Sequence, residues 1–386
     1  MNKSFKISID TIIIIFAMVS PIAPLIYAKI LVLLSIGLLT LRLVIYNNFF
    51  YNFIKKLFIF IFFIPGIILT SFDASENLIR FFPILFIIFL YPFSKLKLNF
   101  NLIKLTSILI LFYLISTQVL LTYDFQQLFD FRNYYYPNEF AEMWDNSYPV
   151  QDISLLKKIG NYRAAGLFYN PNVMGIAVVL YFFFFIYSTD NTRDFGIPLK
   201  KKTIINNLFF SISLIFVVFS LYFTLSRTAI LAFIGFLFIK YFNFNNFKLK
   251  YFFFLFLLSF FLIYFLHEYM IEGFLEGGSL NVKFKIMIDY FSYIPDLNLY
   301  FGGIYSHKNY DLQFDQDLGN WLGSVGLFGI VGLITILKLL FNIRNLRPLV
   351  VSILLLSVGG GALFGIFTAS IILPLIVVAS SRQHQT

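Results

Sequence analysis

Residues 208–243 read LFFSISLIFVVFSLYFTLSRTAILAFIGFLFIKYFN, and the fold turns on how that run is divided. As one helix, its thirty-six residues would extend about 54 Å, whereas a bilayer core of about 30 Å is crossed by about 20 residues. The run therefore reads as two spans broken at Ser226-Arg227-Thr228. An arginine at the centre of a membrane helix costs about 3 kcal/mol, so Arg227 is expected at the membrane boundary, facing a partner or water. A turn residue that snorkels to the interface is the simpler alternative.

Working outward from this run, the rest of the chain repeats its character. Of 386 residues, 59% are hydrophobic and only 12% charged, and the mean hydropathy is +0.83. A soluble domain would carry about a quarter charged residues, so that class is excluded. Apolar runs fall at 11–27, 30–46, 57–71, 80–93, 105–122, 172–188, 208–225, 229–246, 251–267 and 321–341. The stretch 349–380 is too long for one straight span and reads as two short ones divided near Gly359-Gly360-Gly361. The expected fold is all-α, a polytopic integral membrane helical bundle of about 10–12 transmembrane helices.

The 54 phenylalanines, including the runs 182–185 and 252–256, read as lipid-facing filler, because Phe enters lipid about as readily as Leu or Ile. The chain has no cysteine, so thiols say nothing of its redox compartment. Lys3 and Lys6 precede the first apolar run, but no small-residue cleavage site follows it. Ala28-Lys29 leads directly into the second run, and the pair reads as a retained helical hairpin.

Charge supplies a direction. With the amino terminus in the cytoplasm, the breaks after 46, 93, 188, 246 and 341 lie inside together with both termini. These segments, together with Arg42, Lys240 and Lys338 near the span ends, hold 19 Lys or Arg against 3 acids, and the remainder of the chain holds 10 against 16. The bias follows the positive-inside rule, with Lys200-Lys201-Lys202 its clearest case. The net charge of +10 then faces anionic lipid, and no nucleic-acid partner is implied. The chain divides into amino-terminal spans 1–122, a large outer loop 123–171, central spans 172–267, a second large outer loop 268–320, and carboxyl-terminal spans with a tail, 321–386.

The polar residues of interest collect on the outer side. The first loop holds Tyr134-Tyr135-Tyr136-Pro137 and Trp144, an aromatic set that suits a sugar or ordinary packing equally well. Arg163 precedes the span at 172–188 within Arg163-Ala164-Ala165-Gly166-Leu167-Phe168-Tyr169-Asn170-Pro171-Asn172. Pro171 suits a first helical turn, Asn170 can cap it, and the free amides there favour an anion. An interfacial anchor with an ordinary cap explains the same string. His307 stands in the second loop within Tyr305-Ser306-His307-Lys308-Asn309, ahead of Asp315-Gln316-Asp317. A D-x-D string holds divalent metal in many sugar transferases but is frequent by chance. No two histidines are spaced as metal ligands and no glycine-rich loop cradles a nucleotide, so neither metal nor cofactor is expected.

Three strings, in this order and on this topology, resemble the O-antigen ligase and O-antigen polymerase superfamily of bacterial envelope glycosyltransferases. They are Arg163 to Asn172, Ser226-Arg227-Thr228-Ala229, and Gly326-Leu327-Phe328-Gly329 after a loop with His307 and Asp317. The resemblance implies a multi-pass protein of the bacterial inner membrane with its two large loops in the periplasm. It implies transfer of an oligosaccharide from an undecaprenyl-diphosphate donor to an acceptor glycan, with a flippase and a chain-length regulator as partners. Arg163 and Arg227, with Asn170 and Asn172, would bind the donor diphosphate, and His307 or Asp317 would serve the acceptor hydroxyl. Paired arginines can hold developing phosphate charge by bidentate hydrogen bonds without a metal.

Within the superfamily, ligases tend to continue from the histidine to a glycine and a second small residue three further on. His307, Asn309 and Gly319 satisfy the start, but Leu322 stands at the last position. Asp317 followed by a span with Gly326 and Gly329 is more similar to the polymerases. Polymerase is the expectation, ligase the near alternative. A transporter or lipid-linked sugar flippase is the alternative from another class, although no internal repeat supports it.

Overall fold

The structure, a computed structural model, describes residues 8–23, 25–46, 52–73, 78, 81–93, 96–122, 168, 171–191, 199–224, 226–241, 296–303, 317–359 and 366–381. Among these residues every regular element is helical: α1 Ile9–Val19, α2 Leu25–Tyr46, α3 Phe53–Ile61, α4 Ile64–Asp73, α5 Phe82–Leu90, α6 Phe100–Thr122, α7 Pro171–Asn191, α8 Leu199–Thr224, α9 Arg227–Tyr241, α10 Asp296–Phe301, α11 Asp317–Asn342, α12 Arg347–Gly359 and α13 Ile366–Ser380. The expected span 251–267 and the body of both expected outer loops lie outside the described residues.

By length and hydropathy, Phe100–Val119, Asn172–Asp190 and Leu322–Asn342 can each cross a membrane. A fourth span results if α3 and α4, bent by 56°, count as one. Shorter apolar helices of 10–17 residues accompany them, among them Ile30–Tyr46, Leu208–Thr224 and Thr228–Tyr241. The run 208–243 is interrupted where its arginine stands: α8 ends at Thr224 and α9 begins at Arg227. The expected span 57–71 is broken at Phe62-Phe63, ahead of Pro65, which has no amide to donate to the helix ladder. The expected span 80–93 is a nine-residue helix, Phe82–Leu90, with Pro83 in its first turn and Pro92 just past its end. The carboxyl-terminal stretch forms two helices, α12 ending at Gly359 and α13 beginning at Ile366.

The chain falls into two compact units, one of Met1–Phe53, Phe89–Phe233 and Ala362–Thr386 and the other of Ile54–Ile88 and Ile234–Gly361. In the first, α7 is the central rod, packed by α6, α8 and α13 and joined to α1 through Tyr181. Every residue from Met174 to Ser188 is buried. Of its spanning window 83% is enclosed by protein, against 44% for α6, so α6 faces outward and α7 does not. A helix that is apolar all round belongs inside a bundle. Phe182, Phe183, Phe184 and Phe185 are therefore core residues, and the lipid-facing reading of 182–185 is corrected. Lipid and protein interior are equally apolar, so composition alone could not separate them. Phe182 meets Phe233 edge-on at 5.4 Å, and the Tyr181 hydroxyl donates to the Met18 carbonyl at 2.6 Å.

Polar ties sit at opposite ends of α6. Near its start, Asp10 of α1 is buried and accepts from the Arg42 guanidinium at 2.7 Å and from the Lys97 amide at 3.0 Å. Thr11 accepts from the Asn99 amide at 2.8 Å, and Ser8, the N-cap of α1, donates to the Lys97 carbonyl. The start of α1, the end of α2 and the start of α6 are thereby joined. Near the other end of α6, the Ser220 hydroxyl donates to Gln118 Oε1 at 2.7 Å, tying α6 to the last turn but one of α8. The two ties lie about 30 Å apart along α6 at 1.5 Å per residue.

In the second unit, α11 opens at Gly326, whose backbone lies at φ 65°, ψ −176°. That conformation is open in practice to glycine alone. The Ser324 carbonyl accepts from the Gly303 amide at 3.2 Å, just past α10. A Cβ on Gly326 would stand 2.5 Å from the Tyr300 carbonyl oxygen, and one on Gly66 of α4 would stand 2.4 Å from that of Ser324. Three segments thus meet backbone to backbone around Ser324. Part of the stretch expected as the second outer loop, α10 with Gly302 and Gly303, is built into this helical unit.

Candidate functional site

Of the residues singled out from the sequence, Arg163, Asn170 and His307 lie outside the described residues. Pro171 is the first residue of α7, the position where its fixed φ and missing amide cost nothing. Asn172 is the second residue and is half-buried. Arg227 is the first residue of α9 and Asp317 the first of α11; for both, the backbone alone is described. Arg227 belongs to the first unit and Asp317 to the second.

The first unit brings the starts of α7 and α9 together. Gly175, five residues into α7, faces the beginning of α9 so closely that a Cβ there would stand 2.9 Å from the Cβ atoms of both Ser226 and Ala229. The strings that end at Asn172 and begin at Ser226, more than fifty residues apart in the chain, are thus neighbours through their helix starts. The first amides of a helix have no intrahelical partner and bear its positive end. The positive end of α9 lies against the second turn of α7.

Ser226 occupies the cap position of α9. Its carbonyl accepts from the Ile230 amide at 3.0 Å, and its own amide donates to Thr224 Oγ1 at 3.4 Å. Its hydroxyl is fully buried and has no hydrogen-bond partner among the described residues. A capping serine ordinarily turns its hydroxyl onto the first-turn amides; this one does not. Thr224, at the end of α8, is buried beside it. The positive end of α9 favours an anion near its first turn.

Reading the sequence missed Gly175 and the Ser226 hydroxyl. The signal for Gly175 was a lone small residue in the second turn of a bulky apolar span, the kind that permits close helix approach. Nothing local signalled that its neighbour would be Ser226. No protein-family model matches the chain, and no curated protein matches it either.

Proposed function

We propose that the protein is a multi-pass membrane glycosyltransferase that polymerises oligosaccharide repeat units from an undecaprenyl-diphosphate donor at the periplasmic face of the bacterial inner membrane. In this reading the chain has about ten to twelve spans and two large outer loops, with its amino terminus in the cytoplasm. One structural observation carries most weight: α7 and α9, the two helices preceded or headed by the candidate arginines, start side by side at Gly175 and Ser226. The alternation of polar ties along α6 also suits a bundle threaded back and forth through a bilayer.

The chemistry is substitution at an anomeric carbon. An acceptor hydroxyl oxygen forms the new glycosidic bond while the bond to the donor diphosphate breaks and its electron pair leaves with the diphosphate. The acceptor proton passes to His307 or Asp317 of the second loop. Arg163 and Arg227 neutralise the growing charge on the diphosphate, helped by the amides of α7 and α9. The partners are the lipid-linked oligosaccharide, the acceptor glycan and the bilayer.

Arg163→Ala and Arg227→Ala should each abolish polymer ladders in cells while the protein still inserts in the membrane. Normal ladders in either variant would overturn the mechanism. The string His307-Lys308-Asn309 with Gly319 favours a second reading, a ligase that moves finished polymer to lipid A core. Deletion cells would then accumulate long lipid-linked polymer, whereas loss of a polymerase leaves single repeats.

A further inference from the structure

We infer that Arg42, Tyr46 and Lys97 bind the phosphodiester head group of an anionic phospholipid at the cytoplasmic end of α2. The inference goes beyond the transferase reading and shares with it only the bilayer and its direction. In the expected topology the breaks after 46 and after 93 share one side, and Asp10 joins the end of α2 to the approach to α6. Charge decides what can come to this junction. Asp10 is the one acid in residues 1–72 and 77–122. It is buried, with one carboxylate oxygen on the Arg42 guanidinium and the other on the Lys97 amide. The charge left facing outward is therefore basic.

Arg42 is 25% exposed and held at one edge. Its Nε donates to Asp10 at 2.7 Å and its Nη2 to the Tyr46 hydroxyl at 2.8 Å, while Nη1 has no hydrogen-bond partner among the described residues. A guanidinium fixed in this way keeps a donor fork ready for a phosphate. The Lys97 side chain is exposed, and its flexible stem lets the ammonium meet the same head group. Tyr46 is exposed too, its ring 4.5 Å from the guanidinium carbon, and tyrosines gather at head-group level. Leu38, Leu41 and Ile45 are exposed on α2, with Leu38 one turn before Arg42 in the same row. An acyl chain lying along this face brings its phosphate to Arg42. A free phosphate leaves the apolar row uncovered, and a zwitterionic lipid sets its own cation against that of Lys97.

The test follows thermal unfolding of the full chain in detergent micelles doped with dioleoyl phosphatidylglycerol or dioleoyl phosphatidylcholine, or supplied with glycerol phosphate. Wild type should melt higher with phosphatidylglycerol than with the same fraction of phosphatidylcholine, and glycerol phosphate should have no effect. Lys97→Gln keeps the backbone amide that serves Asp10, so it should melt like wild type in phosphatidylcholine. It should need about fivefold more phosphatidylglycerol for the same shift, the loss of one basic side chain at a lipid surface. Lys97→Arg should restore the response. Arg42→Lys, which keeps a cation beside Asp10 but not the fork, should need about tenfold more. Lys338→Gln removes the same charge from an exposed position near the end of α11 and should respond like wild type.

Equal shifts of wild type in the two lipids overturn the assignment, as does a Lys97→Gln or Arg42→Lys protein that responds to phosphatidylglycerol like wild type. A Lys338→Gln protein that loses as much as Lys97→Gln overturns it by making the attraction diffuse. Glycerol phosphate matching the lipid gives the cations to a free anion instead. A melting temperature that rises with protein concentration and ignores phosphatidylglycerol gives the face to a second copy of the chain. The transferase reading is scored separately from polymer ladders: a phosphatidylglycerol shift lost in Lys97→Gln keeps the lipid site even where Arg163→Ala and Arg227→Ala leave ladders normal.

Discussion

Gly175 and Ser226 are in direct apposition: a Cβ on the glycine would stand 2.9 Å from the Cβ of the serine, closer than real side chains come. Gly175→Val should therefore force α7 and α9 apart and destabilise the protein by about 2 kcal/mol, within the usual range for overpacking. Polymer ladders should disappear with it. Gly37 in α2 is the control, since nothing lies within 4 Å of the Cβ it lacks. Gly37→Ala should raise stability by about 0.5–1 kcal/mol through helix propensity alone and leave ladders intact. Melting of both variants in detergent, beside ladder assays, checks the contrast.

Phe184 is fully buried within the first unit, stacked on Tyr181 with ring centroids 6.3 Å apart, whereas Phe58 of α3 is 63% exposed. Phe184→Ala leaves a void in a packed core and should cost about 3 kcal/mol. Phe58→Ala should change stability by less than about 1 kcal/mol. Equal effects of the two, measured by unfolding from the same micelles, would return the phenylalanine run to the lipid-facing role first expected of it.

Gly326→Ala meets two obstacles at once. Its φ of 65° with ψ −176° strains any other residue by about 1–3 kcal/mol, and the added Cβ would lie 2.5 Å from the Gly302 amide nitrogen. The substitution should unfasten α10 from α11. Proteolysis should then become faster at 296–303, and the melting temperature should fall further than for Gly37→Ala.

Much of this arrangement was legible before any coordinates. The break between α8 and α9 follows from one arginine in an overlong apolar run, and the start of α7 from Pro171. Both are local signals with local causes, the expense of a charge in hydrocarbon and the missing amide of proline. The division of 349–380 into two helices was legible for the same reason, since glycines weaken a helix where they stand. The break at Phe62-Phe63 was overlooked although Pro65 announced it. The convergence of Gly66, Gly302, Gly303 and Gly326 had no such signal, because each is an ordinary turn or span glycine until its partners arrive.

By itself the sequence determined that this chain is helical and apolar, roughly where its helices start and stop, and that a few polar residues stand where they are costly. Those features are local because a backbone in hydrocarbon must satisfy its own hydrogen bonds within each segment, and side chains declare the cost one by one. Only the tertiary structure decided that α7 is enclosed, that Phe182 to Phe185 are core, and that Gly175 meets Ser226. Packing between helices joins residues far apart in the chain through shape, and the same apolar surface serves lipid and protein neighbours alike.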